Sequence, residues 1–244
     1  MHNLGHTRSS NQRDHLLQTP DTFVRTELPG MRKAAAVVHI SPAGGAAFTQ
    51  YTAELEKDGI LGSTDAQRFV YVLEGSALLS IATATHSLLP DGFAYVPAGA
   101  EHELKASENA RLTVIEKHYQ RLSSTSAPEI LVNRESEIAS TALNGDPDLQ
   151  VRALIPGDAG FDFAVNTMTY NPGAALSMVE IHVMEHGLLM LEGGGIYRLG
   201  DSWYSVAAGD FIWMAPYCPQ WFGAIGKKPA KYLIYKDWNR HPLR

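Results

Sequence analysis

Short apolar runs alternate with polar residues along most of the chain and are broken every few positions by Gly, Pro, Asn or Asp. That rhythm predicts β-strands joined by tight turns, and long amphipathic helical patterns are scarce. The stretch YVLEGSALLSIATATHSLLPDGFAYVPAGAEHEL from Tyr71 has a counterpart in LMLEGGGIYRLGDSWYSVAAGDFIWMAPYCPQWF from Leu189. Each reads as strand, Leu-Glu-Gly turn, strand, Gly-containing turn, aromatic strand and Pro-bearing turn. ARLTVIEKHYQRL from Ala110 then answers AKYLIYKDWNRHPL from Ala230. One unit used twice in all-β sequence predicts two tandem jelly-roll barrels, since a solenoid would need at least about three shorter units. The expected boundaries are an N-terminal arm over 1–22, a first barrel over 23–122, a linker over 123–147 and a second barrel over 148–244.

Composition narrows the function classes. A chain of 244 residues can bury the cores of two modest domains. Its formal charge is −6 and its Lys and Arg residues are scattered, which leaves no basic footprint for a phosphate backbone and excludes nucleic acid as an expected partner. The start is polar and His-rich without an apolar signal region, and no stretch approaches a membrane span. A cytoplasmic protein with no membrane partner is therefore expected. Cys218 is the only cysteine, so no intrachain disulfide can form. No base neighbours it in the sequence, and it reads as a small half-buried hydrophobe rather than a nucleophile.

The densest chemistry lies in GAALSMVEIHVMEHGLLMLEG, from Gly173. On a strand, Glu180, His182 and His186 project to one side, and in a barrel that side can be the interior. One carboxylate and two imidazoles suit a borderline or hard divalent ion such as Mn, Fe, Ni or Zn, and spacing does not select among them. Two other readings compete. His182 to His186 also spells H-x-x-E-H, an inverse zincin motif that needs a helix to bring both histidines to one face. Gly187, the run Gly193 to Gly195 and the match to a β unit in the other half oppose it. The second rival is a pair of satisfied core histidines, which a third and fourth ligand-type residue on the same face disfavours.

The segment resembles the cupin signature, in which a Gly is followed by His-x-His, Glu and a further Gly at set intervals. Here Glu180-x-His182, then His186, then Gly193 keep the ligand set with Glu and one His exchanged. The second cupin motif carries a His eleven residues after a Gly; eleven after Gly209 stands Gln220. A Glu, His, His, Gln set in the second of two cupins resembles the (S)-ureidoglycine aminohydrolases of ureide breakdown. The anchors are FDF at Phe161, NPGA at Asn171, GIYRL at Gly195, AGDFIWM at Ala208 and YKDWNR at Tyr235. The resemblance implies an all-β bicupin that releases ammonia from (S)-ureidoglycine to leave (S)-ureidoglycolate in purine and allantoin degradation. It implies Mn(2+), or another divalent metal, held by Glu180, His182, His186 and Gln220. It implies substrate contacts from Tyr197, Tyr232, Glu180 and Lys236, with Lys236 as the proton-transfer residue. A homo-oligomer is expected on the same ground. Without the resemblance, Lys236 reads as a solvated strand-end charge and the two tyrosines as core aromatics.

In the first half the positions equivalent to the three ligands are Gly62, Thr64 and Arg68, which cannot replace them. His102 follows a P-x-G-x-x-H turn without those companions, so no metal is assigned there, and this half is expected to give support. The rival functions are a bicupin dioxygenase and a non-catalytic cupin that holds a small molecule. Gln220 and Lys236 count against the first, and a complete ligand set counts against the second.

Overall fold

The computed structural model describes residues 5–240, and it divides into two compact units. Strands make up nearly all of the regular structure, and the described helices are three short 3-10 turns. Among the described residues no helix is long and apolar enough to cross a membrane.

The C-terminal unit comprises the segment through Phe23, residues 139–157 and the chain from Phe163 onward. Its larger sheet is antiparallel, in the order Ser10–Asn11, His15–Gln18, Phe211–Met214, His186–Glu192, Ala230–Asp237, Phe163–Tyr170, Asp146–Ala153, Thr141–Leu143. A second sheet joins Ser202–Ala207, Gly194–Leu199 and Gln220–Ala224. Alternation sends Leu188 and Met190, Tyr232 and Ile234, and Tyr197 and Phe222 into one shared core. The N-terminal unit covers residues 24–138 and 158–162. Its sheet runs Leu131–Arg134, Gly92–Val96, Gln67–Glu74, Ala110–Lys117, Thr49–Leu61, His102–Ala106, Ala77–Ile81, Ala84–Leu88, and Met31–Ile40 pairs with Thr49–Leu61. Tyr51, Val70, Val72, Leu79, Leu112 and Val114 lie in its core.

The repeat seen in the sequence is a repeat of backbone geometry. Gly75 and Gly193, each closing a Leu-Glu-Gly turn, have φ of 71° and 63°. A Cβ at Gly75 would meet the Asn109 carbonyl at 2.1 Å, and one at Gly193 the Pro229 carbonyl at 2.4 Å. Both turns need a residue that tolerates the left-handed region and has no side chain. The expected all-β bicupin is the observed fold.

Among the described residues, the stretches expected as arm and linker contribute strands. His15–Gln18 pairs with Phe211–Met214, Leu17 against Ile212, so the arm adds strands to the C-terminal sheet. Arg8 ties it down with two hydrogen bonds, of 2.7 and 2.9 Å, to the buried carboxylate of Asp210. Within 123–147, Leu131–Arg134 pairs with Gly92–Val96 and Thr141–Leu143 with Asp146–Ala153. Asp162 is fully buried in the N-terminal unit and bonds Lys117 at 2.7 Å and Gln67 at 2.6 Å.

Candidate active site

In the C-terminal unit a cavity of about 180 Å³, room for about six waters at liquid density, is lined by every residue singled out in the sequence: Glu180, His182, His186, Gln220, Lys236, Tyr197 and Tyr232. Strand register explains the convergence. Tyr232, Ile234 and Lys236 share a face of Ala230–Asp237, and Lys236 lies opposite His186 on the neighbouring strand. Asn166 lies opposite Ile234 on the other side, which makes Lys236 its diagonal neighbour. Glu180 and Gln220 pair as an isolated bridge, exchanging backbone hydrogen bonds of 2.9 and 3.0 Å.

The three ligand-type residues do not share one strand. His186 begins the strand His186–Glu192, whereas residues 181–185 form an irregular connection and Glu180 is extended only at its bridge to Gln220. Glu180 and His182 still face the same cavity two residues apart. The inverse zincin reading requires a helix over His182 to His186, and there is none.

The side chains fit a divalent cation. His186 Nε2 and His182 Nε2 face each other at 3.3 Å, Gln220 Nε2 is 2.8 Å from His182 Nε2, and Glu180 Oε2 is 3.9 Å from it. Two nitrogen or oxygen ligands about 2.1 Å from one ion can stand at most about 4.2 Å apart, and the separations of His182 from His186 and from Glu180 fall within that limit, while Gln220, whose amide nitrogen here donates to His182, would ligate through its Oε1. His186 Nδ1 donates to the Tyr235 carbonyl at 3.1 Å, which turns its Nε2 lone pair to the cavity. Burial, with His182 and Lys236 nearby, pushes His186 down to about 3, so its imidazole is neutral as a metal ligand must be. The buried Nδ1 of His182 has no hydrogen-bond partner. Within the chain these ring nitrogens meet only each other and the Gln220 amide, contacts that a bound cation would replace.

Lys236 stands beside these residues. Asn166, with its amide turned so that nitrogen donates to the Val165 carbonyl, accepts from Lys236 Nζ at 3.0 Å. The ammonium also lies 5.3 Å from the centre of the Trp238 ring. Burial lowers the Lys236 pKa, against a smaller opposing effect of Glu180. Tyr170 and Tyr232 share a hydrogen bond of 2.6 Å, and Tyr197 packs 5.4 Å from Phe222. Burial holds the Tyr197 and Tyr232 hydroxyls well above the ordinary tyrosine range, so they serve as neutral hydrogen-bonding groups rather than bases. Asn166 and Tyr170 were missed in the sequence, because only strand pairing places them beside Lys236 and Tyr232.

The N-terminal unit fills the equivalent positions differently. Arg68, which corresponds to His186 in the repeat, donates through Nη1 to His102 Nε2 at 2.7 Å and through Nε and Nη2 to Glu116 Oε1 at 2.9 and 2.7 Å. Tyr51 adds a fourth bond, to the same carboxylate oxygen, at 2.8 Å. A cation fixed to the chain thus uses the His102 lone pair. Arg68→Ala leaves Glu116 without its ion-pair partner, and denaturant unfolding is expected to show a loss of about 3 kcal/mol. An unchanged midpoint would contradict this account of the network.

Comparison with known proteins agrees with the fold and narrows the family. The cupin domain model matches residues 166–235. The chain is 42% identical over 98% of its length to a protein of Oryza sativa subsp. japonica named as a probable (S)-ureidoglycine aminohydrolase, covering 78% of that protein. It is 40% identical, again over 98% of its length, to the (S)-ureidoglycine aminohydrolase of Arabidopsis thaliana, covering 80% of it. The crystal structure of protein Ylba from E. coli superposes with a TM-score of 0.86 at 26% identity, covering 98% of this chain and 97% of that one. With this identity over nearly its whole length, and with two cupin barrels, the chain belongs to the (S)-ureidoglycine aminohydrolase family.

Proposed function

We propose that this protein hydrolyses (S)-ureidoglycine to (S)-ureidoglycolate and ammonia, with a divalent metal, Mn(2+) by the family likeness, held by Glu180, His182, His186 and Gln220. The observation that carries the reading is the convergence of two imidazoles, a carboxylate and an amide on one cavity with a partly buried lysine beside them. When bound, such an ion supplies Lewis-acid stabilisation of developing charge and an anchor for a carboxylate.

The chain's own residues account for the rest. In the reaction a carbon–nitrogen bond to the amine breaks, a carbon–oxygen bond to water forms, and one proton moves from water to the departing nitrogen. Lys236 is placed to carry that proton: neutral Nζ takes it as a base and the ammonium returns it as an acid. Burial shifts Lys236 toward its neutral form, and Asn166 holds Nζ in position through either state. The Tyr197 and Tyr232 hydroxyls offer hydrogen bonds to the ureido group. Val151, Met168, Leu176 and Ile234 form an apolar wall that limits water around the reacting carbon. The small cavity suits a compact polar substrate. The remainder of the proposal is a cytoplasmic homo-oligomer acting in purine and allantoin degradation, supported by family membership.

The test is product analysis on freshly generated ureidoglycine with the metal-loaded protein. One ammonia and one ureidoglycolate per substrate, with no oxygen uptake, is the expected result. No ammonia from metal-loaded protein would overturn the proposal, and oxygen uptake would favour the dioxygenase reading.

A further inference from the structure

Away from the cavity, the fold brings together three donors that the sequence keeps far apart. Asp14 and His15 lie in the N-terminal arm, and Cys218 lies in the loop between Phe211–Met214 and Gln220–Ala224. One ligand atom from each lies within 4.8 Å of the other two, with His15 Nδ1 2.9 Å from Asp14 Oδ1. The His15 and Cys218 side chains are buried, whereas that of Asp14 is 46% exposed, which gives the cluster one open side. Asp14 also packs over Gly200, where a Cβ would meet its Oδ2 at 3.2 Å.

We propose that Asp14, His15 and Cys218 form a second metal site, for a thiophilic divalent ion of the zinc class, that clamps the N-terminal arm to the loop carrying Gln220. The donor set is a thiolate, an imidazole and a carboxylate, the combination such ions take in four-coordinate sites, with water at the exposed corner. Sulfur at about 2.3 Å and nitrogen or oxygen at about 2.1 Å from one ion span up to about 4.4 Å, so the cluster closes on an ion by a few tenths of an ångström. On binding, the thiol proton leaves to solvent and a metal–sulfur bond forms, with no change of oxidation state. The outer partners are in place. His15 Nε2 is 2.9 Å from the Tyr204 hydroxyl, which donates to Ser10 Oγ at 3.2 Å. With an ion on Nδ1, the chain from Nε2–H to Tyr204 to Ser10 runs in one direction, each donor meeting one acceptor. The harder metal expected in the cavity would be held by nitrogen and oxygen donors without a thiolate, so the two sites differ in the ions they prefer.

The site is joined to the cavity through its loop. Ala215 N donates to the Asp14 carbonyl at 2.9 Å, Cys218 N to the Ala215 carbonyl at 3.1 Å, and Tyr217 N to the His182 carbonyl at 2.7 Å. Gln220 follows two residues after Cys218. An ion here therefore stiffens a loop that reaches two of the residues lining the catalytic cavity.

Because Cys218 is the only cysteine, a thiolate-to-metal absorption band reports this cluster alone. The test is titration of the intact protein with Co(II), followed by displacement with Zn(II). The expected result is a thiolate-to-cobalt band that saturates at one ion per chain and bleaches with Zn(II). It should vanish in Cys218→Ser, require at least about tenfold more metal in His15→Ala and Asp14→Asn, and persist in His182→Ala. No band in the wild type would overturn the site, as would a band of undiminished affinity in His15→Ala, which marks binding to the thiol alone. Thermal melting without metal establishes that each variant is folded, and if Cys218→Ser is not, the His15 and Asp14 variants decide.

Discussion

His182→Ala is expected to reduce ammonia release by about 10³-fold or more while leaving the melting temperature within a few degrees. The imidazole faces both His186 and Gln220, at 3.3 and 2.8 Å, and removing it takes away the group about which the donor set is arranged. A lost metal forfeits several kcal/mol of charge stabilisation in the transition state, and about 1.4 kcal/mol corresponds to each tenfold in rate. His182 is partly exposed and lies in an irregular connection rather than a strand, so the fold depends little on it. Bound Mn(II) measured on the same samples checks the cause: the variant should retain far less of it after loading. A variant that keeps both metal and rate would remove His182 from the site.

Lys236→Met is expected to lower kcat by about 10²- to 10⁴-fold, the range for a positioned proton-transfer group, with KM and metal content little changed. Methionine retains most of the volume of the lysine stem, so packing against Trp238 survives while the proton carrier is lost. Steady-state kinetics separates this from a binding defect. An equal rise in KM with kcat preserved would make Lys236 a substrate anchor and not a proton carrier.

Much of the fold was legible because the chain states it twice. The Leu-Glu-Gly turns, the aromatic strands and the Pro-bearing turns recur at matched spacing, and Gly75 and Gly193 meet the same steric demand. The candidate site was legible for a related reason: Glu180, His182 and His186 are neighbours in sequence, and alternation alone puts Glu180 and His182 on one face. What escaped was non-local. The strand His15–Gln18 is too short to show a period, and its pairing with Phe211–Met214 spans nearly the whole chain. Cys218 read as an isolated hydrophobe because Asp14 and His15 reach it only through that pairing. Arg68 read as a lost ligand, and only strand pairing shows that it meets Glu116 and His102. The expectation of one continuous strand through Glu180, His182 and His186 failed because Glu180 bonds Gln220 by a bridge, while the residues after it bend toward Tyr217.

The two barrels have taken opposite solutions to one geometry. At equivalent positions the N-terminal unit holds Arg68 and His102, with the Arg68 guanidinium saturating Glu116 and the His102 lone pair. The C-terminal unit holds His186 and Gln220, and leaves imidazole nitrogens facing each other with no cation of the chain between them. A self-neutralised network has little capacity left for a ligand, whereas two converging imidazoles beside a carboxylate keep that capacity. This contrast supports the proposal that the chemistry lies in the second barrel.

The most direct test of the central claim is ammonia release from fresh ureidoglycine by protein stripped of divalent ions and then supplied with Mn(II). Wild type should be inactive when stripped and recover on addition of Mn(II), and His182→Ala should not recover. Undiminished release by the stripped wild-type protein would contradict a metal-dependent hydrolase at this site.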